Sequence, residues 1–451
     1  MKPTILICTP ETAYFQKIAH TLSFFGQDSF VHLKTPDELL ASENLGAPAA
    51  CLIDARGADL TTLEWTQSVR MAFEKAVIIV LHQADTVPDV DVLKKNGANY
   101  LMHAHFDAEF IVDLLLEETH WDFGSDVPLT ALQSIEAQDL PGGVALEFPV
   151  FVHLPHNGKT IQLRRKGDQL SEQIHEKASH LGQSVYFKKT DRGAVLTHLE
   201  KMQKPAEGAA GFSGTIGAIR AKRIFFESMA EFFDASSSYQ SGKNIFENTR
   251  KIVGDLGLLG ERPVSWWRDL ILKRAGHERS FYDEALSLAH FAAAFGHLAK
   301  LPAADIEALA LAGLLHNIGL SKVGGYVLGQ DPSALSDEQQ RLYRSYPAAS
   351  SAMIKNKKVA LPAAVNDIIL QHRERPDGTG FPSGLTKDKL HPLTPMFHIA
   401  YRFQELTSID GSGREKRTVI GALELMKEGA LNGKEPLELG KVALLLKALK
   451  D

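Results

Sequence analysis

Short apolar runs alternate with amphipathic stretches through residues 1–122. Thr4–Cys8 (TILIC), Ala50–Ile53 (ACLI) and Val77–Leu81 (VIIVL) carry no polar alternation, the pattern of strands buried on both faces, and Tyr100–Met102 predicts a last short one. Between them, Glu11–Phe25 and Val90–Asn96 predict helices, so the segment reads as an open parallel α/β sheet. After Trp121 the period changes. Phe148–Leu154 alternates, His156-Asn157-Gly158 supplies a tight turn and Thr160–Arg164 returns, which predicts a hairpin. Leu170–Leu181 predicts a helix and Ser184–Lys188 another strand. Lys204–Gly214 (KPAEGAAGFSG) has the composition of a linker. Beyond it, Ile216–Phe233, Ile245–Leu256 and the run opened by Ser265-Trp266-Trp267 predict connector helices, whose spaced aromatics mark a core or a dimer seam. From Ser280 to Asp451 the pattern is almost wholly helical. The predicted organisation is therefore an α/β domain over 1–122, a small β-containing α+β module over 123–203, a linker and connector over 204–279 and an all-α domain over 280–451.

Composition narrows the function. A chain of 451 residues holds about three domains of ordinary size. With 44% hydrophobic and 23% charged residues it has the balance of a soluble globular protein. A net charge of −6 excludes a nucleic-acid binder dominated by phosphate contacts, though not a small basic pocket. Cys8 and Cys51 both fall in predicted buried strands, as in a reduced cytoplasmic protein. No apolar run reaches the roughly 18–20 residues of a membrane span, and the apolar part of MKPTILICTP is too short for a signal peptide.

Asp54 follows the strand ACLI, at the end of a parallel sheet where ligands bind. This segment resembles a response-regulator receiver domain, with Asp54 at the phosphoacceptor position. The resemblance implies acidic magnesium ligands after the first strand, where this chain has Cys8-Thr9-Pro10 before Glu11. It implies a Thr or Ser where His82 stands and a Lys where His103 stands. Little is left to neutralise a phosphoryl group in transfer. The expectation is a pseudo-receiver that mediates contacts, with Asp54 not phosphorylated. Arg164, Arg165 and Lys166 read as a solvated basic face ahead of an anion site.

Two blocks in the last domain carry chemistry. Leu314–Leu320 reads LLHNIGL, at the end of a helix predicted over Asp305–Leu315 that begins just after Pro302. Gln371–Pro382 reads QHRERPDGTGFP, at the end of a helix predicted over Val359–His372, with glycines at Gly378 and Gly380 for a tight turn. These blocks resemble the HD and HHE…DGxGYP signatures of the HD-GYP family. That resemblance implies an all-α HD-type bundle and a metal-dependent phosphodiesterase that opens cyclic di-GMP. It implies a ligand cluster holding two ions about 3.5–4 Å apart around a bridging hydroxide.

Mapped on this chain, the metal-site positions of the family are Glu284, His316, Asn317, Tyr346, His372, Arg373 and Tyr401, and the family's Lys after the HD pair becomes Leu320, with Lys322 close by. The signature loop retains Asp377, Gly378, Gly380 and Pro382, with Phe381 in place of Tyr. Only His316 and His372 survive as ligand types, with Glu284 the candidate third ligand; a neutral Asn317 serves badly as a bridging carboxylate. Arg373 can pair with Glu284 or Glu374, or together with Arg375 and Lys322 receive a phosphate.

The reading is a catalytically degenerate HD-GYP signalling protein: an adaptor that binds a protein partner or a nucleotide without turnover, needs no cofactor, and forms a homodimer through the connector. Two alternatives stay open. One is an active cyclic di-GMP phosphodiesterase with a single iron, manganese or other divalent ion on His316, His372 and Glu284. The other is a non-hydrolysing cyclic di-GMP receptor that grips phosphate through Arg373 and Arg375.

Overall fold

The structure, a computed structural model, describes residues 4–41, 45–56, 61–83, 89–104, 107–119, 121, 123, 127–140, 142–154, 159–169, 171, 184–202, 215–233, 238–274, 280–324, 326, 331–408, 417–433, 435 and 437–450. The turn at His156-Asn157-Gly158, most of the helix expected over Leu170–Leu181 and the linker Lys204–Gly214 lie outside them. Among the described residues the chain divides into two compact units, one running through Ala218 and the other from Ile219 onward.

The first unit holds two sheets. β1 (Ile5–Cys8), β2 (Phe30–Leu33), β3 (Ala50–Ala55), β4 (Val77–His82) and β5 (Tyr100–His103) form a parallel sheet in the order β2-β1-β3-β4-β5. This is a doubly wound order, and its ligand edge is the carboxyl end of the strands. β1 is buried at every position, and β3 at every position except Asp54, as strands covered on both faces require. α1 (Thr12–Thr21), α2 (Pro36–Ala41), α3 (Thr61–Ala72), α4 (Val90–Lys95) and α5 (Ala108–Thr119) supply the cover. The helix expected over Glu11–Phe25 thus ends early, and Ser23–Phe25 tightens into a 3₁₀ turn before the positive-φ Gly26. Asp54 lies in β3, one residue from its end, since the strand runs two residues beyond the apolar tetrad.

An antiparallel sheet follows, in the order β6-β9-β7-β8, from β6 (Leu132–Glu136), β7 (Val150–Leu154), β8 (Lys159–Arg164) and β9 (Ser184–Lys188). β6 has no counterpart in the sequence reading, since LQSIE gives too brief an apolar signal. α6 (Arg192–Met202) follows β9. Asp113 of α5 accepts from Lys189 Nζ and Arg192 Nη2, both at 2.7 Å, and Arg192 Nη1 reaches Glu117 at 2.9 Å. These bonds tie the antiparallel module to the parallel one.

The second unit is helical, and α7 (Thr215–Phe233) leads into it. It comprises α8 (Tyr239–Asp255), α9 (Val264–Arg274), α10 (Phe281–Leu298), α11 (Ala303–Leu315), α12 (Asp337–Asn356), α13 (Ala363–Gln371), α14 (Thr394–Thr407), α15 (Val419–Leu431) and α16 (Leu439–Lys450). α10 is the central helix: it is apolar nearly all round and buried along almost its whole length. Ser280 caps it by accepting from the Asp283 amide. The connector helices expected from the sequence use their apolar faces inside this unit. A Cβ at Gly242 of α8 would lie 2.2 Å from Lys358 O, and Trp267 stacks on His297 at 4.1 Å between ring centroids. The stretch Ala303–Lys322 is long and apolar enough to cross a membrane by composition, yet 78% of it is buried among the other helices.

Candidate functional site

Two helix ends bring the signature blocks together. His316 is the C-cap of α11 and His372 the C-cap of α13. Each ring turns back on its own helix: His316 Nδ1 lies 2.8 Å from Gly313 O, and His372 Nδ1 lies 2.6 Å from Ile369 O. A carbonyl only accepts, so both Nδ1 atoms carry the proton and both Nε2 atoms are left as acceptors. The rings meet edge to face, 5.2 Å apart.

The loop behind His316 is fixed by a close approach. Gly319 N donates to Ser350 Oγ, which donates to His316 O, both at 2.8 Å. A Cβ at position 319 would stand 2.2 Å from Tyr346 O, so only glycine lets the loop dock on α12 there.

Tyr346 of α12 and Tyr401 of α14 fill the space beside the histidines. The Tyr346 hydroxyl donates to His372 Nε2 at 2.6 Å and accepts from the Tyr401 hydroxyl. The Tyr401 ring lies 5.8 Å from His316 and 5.7 Å from His372. Asn317 Nδ2 donates to Phe281 O at 2.9 Å and to Glu284 Oε2 at 2.8 Å, which fixes the orientation of the amide. Among the described residues, His316 Nε2, Asn317 Oδ1 and Gln404 Oε1 are buried without a hydrogen-bond partner.

Arg373 brings a permanent charge to this cluster. Its guanidinium carbon sits 4.6 Å from the centroid of Tyr401, 5.3 Å from Phe381 and 6.0 Å from Tyr343. Its ion partner is Glu405, at 3.0 Å. The sequence offered Glu284 or Glu374 instead, and both are committed elsewhere. Glu284 holds Asn317, while Glu374, 2% exposed, accepts from the backbone amides of Ser383 at 2.6 Å and Leu385 at 2.8 Å. Glu374 thereby staples the signature loop. Within that loop Asp377 takes a structural role, accepting from the Thr379 amide and hydroxyl. A Cβ at Gly380 would meet Arg375 N at 2.3 Å. Phe381 packs its ring 6.0 Å from Tyr343 and 6.4 Å from Tyr346.

Electrostatics follow from burial. Desolvation, opposed by the bond to Gly313 and assisted by nearby Arg373, brings His316 down to about 4. Burial likewise lowers His372, with neighbouring His316 adding to the fall. His398 drops to about 4 for the same first reason, helped by Arg373 and Arg375. Burial pushes the Tyr346 and Tyr401 phenols up. At neutral pH the cluster is therefore neutral imidazoles and phenols around one guanidinium.

Beside it opens a cavity of about 610 Å³, lined by His372, Arg373 and Arg375 together with Arg344, Arg402 and Phe381. Of the three cations expected to hold phosphate, Arg373 and Arg375 share this cavity, and Arg375 makes a long 3.7 Å contact to Asp377. Lys322 ends a 3₁₀ turn and does not line it.

The residues present do not fit a divalent metal pair. His372 Nε2 is engaged by a phenol, Glu284 Oε2 by an amide, and a guanidinium adds like charge. Among the described residues no group of three or more His, Cys, Asp or Glu side chains converges as a metal site. Sequence reasoning missed Glu405, Gln404 and Tyr343. Glu405 was within reach, standing four residues beyond Tyr401 on one helix face.

At the ligand edge of the parallel sheet, Asp54 accepts from Thr9 Oγ1 at 2.7 Å and from Arg56 Nε and Nη2, both at 2.9 Å. His82 and His103 are register partners on β4 and β5, with rings 5.8 Å apart. Neither Thr9 nor Arg56 was singled out from the sequence.

The HD domain family model matches residues 269–434. Cyclic di-GMP phosphodiesterase PA4108 of Pseudomonas aeruginosa is 34% identical over 109 residues, 24% of this chain. That match spans about a quarter (26%) of the relative's length. Among solved structures, Bd1817, a HDG"Y"P protein from Bdellovibrio bacteriovorus, aligns with a TM-score of 0.45 and 19% identity, covering 71% of this chain and all of that one. Chemotaxis protein CheY4 of Vibrio cholerae aligns with a TM-score of 0.23 and 20% identity, over 26% of this chain and 97% of its own.

Proposed function

We propose, from the premise that the C-terminal unit carries an HD domain related to the HD-GYP group and the N-terminal sheet is receiver-like, that this chain is a signalling protein whose HD domain binds without hydrolysing. The observation that carries the reading is Arg373. A guanidinium ion-paired to Glu405 and seated 4.6 Å from Tyr401 holds positive charge among the positions that the family uses for metal. The engaged Nε2 of His372 adds to it. A pair of divalent ions beside that charge would meet strong repulsion with too few carboxylates to offset it.

What the domain recognises is a protein partner in cyclic di-GMP related signalling. A second reading, direct reception of cyclic di-GMP, is favoured by the cavity of about 610 Å³ with four arginines in its lining, since planar guanidiniums pair bidentately with phosphate.

The test is metal content and turnover on the same preparation. Protein purified with and without oxygen should hold near-zero iron, manganese and zinc and release no linear dinucleotide from cyclic di-GMP after loading with Mn²⁺ or Fe²⁺. Metal lost in His316→Ala, together with product, would restore the enzyme reading. Binding of intact cyclic di-GMP that Arg373→Ala weakens would select the receptor reading over the adaptor one.

A further inference from the structure

Beyond that reading, and resting on its premise that the N-terminal sheet is receiver-like, we propose that Arg56 is a tethered cation that locks the phosphoacceptor edge of the N-terminal unit, doing for Asp54 what a divalent ion does in a responsive site. Six contacts surround the Asp54–Arg56 pair. Arg56 meets the Asp54 carboxylate side-on, Nε to Oδ1 and Nη2 to Oδ2, each at 2.9 Å, and its backbone amide adds a bond to Oδ1 at 3.1 Å. Thr9 Oγ1 closes on Oδ2 at 2.7 Å, so both carboxylate oxygens are taken. The same Nη2 also reaches Glu11 Oε2 at 2.9 Å. On its flat side the guanidinium lies 3.3 Å from the ring centroid of Tyr14 on α1.

Nη2 thus bridges the carboxylates of Glu11 and Asp54. A divalent ion joining them would need the space that Nη2 fills. A phosphodonor would need Asp54 as a free nucleophile, and a carboxylate saturated by a bidentate guanidinium and a hydroxyl is a poor one. The lock is held on several sides: the Asp54 side chain is 7% exposed and that of Arg56 only 20%. Arginine suits this role and lysine does not, because only the planar fork can meet one carboxylate with two nitrogens and a second carboxylate with the same group. Signals therefore enter this unit by routes other than phosphorylation of Asp54.

The experiment uses the full-length chain and Mn²⁺ as the probe, followed by electron paramagnetic resonance. Wild type and Arg56→Ala are compared, each also with Glu11→Ala so that binding elsewhere on the chain is subtracted. Far-UV circular dichroism verifies folding, and Arg56→Gln, which keeps bulk and one amide donor, serves as the second variant should the alanine unfold. The expected result is Mn²⁺ binding that tightens by at least about tenfold when the guanidinium is removed and returns to the wild-type level with Glu11→Ala. Wild type should take no phosphoryl group from acetyl phosphate and Mg²⁺, read as intact mass. Equal Mn²⁺ binding in wild type and both folded Arg56 variants would overturn the proposal, as would an aspartyl phosphate on the wild-type chain that Asp54→Asn abolishes.

Discussion

Acid should loosen the helical unit well before it titrates most carboxylates, through the histidines buried around Arg373. His316 and His398 both protonate only near 4 in the folded chain, chiefly because burial strips water from the charged form. In the unfolded chain each titrates near about 6.5. Between those values the unfolded chain holds more protons, so stability falls as pH falls. The contribution is complete above the unfolded value and drains away towards pH 4. A shift of about 2.5 units is worth on the order of 3 kcal/mol per histidine, and by about pH 5 roughly 2 kcal/mol of each is lost. Together, roughly 4 kcal/mol is a large part of the 5–15 kcal/mol that ordinary domains possess. The assay is hydrogen exchange of peptides from α11 and α14 between about pH 7.5 and 5, corrected for the intrinsic exchange rate. In His398→Gln, whose amide can still donate to Gln371 O, the acid slope should shrink by up to about 1.4 kcal/mol per pH unit. An unchanged slope in both His398→Gln and His316→Gln would refute the reasoning, since the protons would then be binding elsewhere.

Three further changes probe the frame around the sites. Gly319→Ala drives a Cβ against Tyr346 O and Ser350 N, backbone atoms that cannot step aside, and should cost about 2–3 kcal/mol in urea unfolding; wild-type stability would show the loop is not pinned there. Glu374→Ala leaves the Ser383 and Leu385 amides without their acceptor, so exchange protection across 383–385 should vanish while α13 keeps its own, at a local cost of about 2–4 kcal/mol. Asp113→Ala removes the shared acceptor of Lys189 and Arg192, all largely buried, and should cost about 3–5 kcal/mol, seen as faster limited proteolysis between α5 and β6. An unaltered cleavage rate would mean that the Asp113 pairs do not hold the two sheets together.

The parallel sheet was legible because its strands are unbroken apolar runs, and β3 and β4 emerged within two residues of their expected ends. Pro302 marked the start of α11, whereas α13 begins only at Ala363, after Pro362, four residues later than the helix expected from Val359. β6 was not legible, because five residues with two polar ones in sequence leave no period to count. Pairings were hardest to read. Nothing local distinguishes Glu405 from Glu284 or Glu374 as the partner of Arg373. The choice is made by Asn317 and by the amides of Ser383 and Leu385, which claim the other two first. Such competition depends on where three helices and a loop meet, which spacing along one chain does not record.

An arginine paired with carboxylate recurs in both units. In the first unit Arg56 stands between Asp54 and Glu11. In the second unit Arg373 stands against Glu405 and Tyr401, beside His316 and His372. In each case the change is self-consistent. A fixed cation tolerates a carboxylate or two and repels further cations, so neutral Asn317 and Tyr401 go with Arg373, and Thr9 goes with Arg56. An arginine, unlike a metal ion, is neither lost to chelation nor exchanged, and it offers no open position for a water nucleophile. On the readings proposed for the two sites, each edge keeps a fixed cation paired with its carboxylates in place of an exchangeable ion.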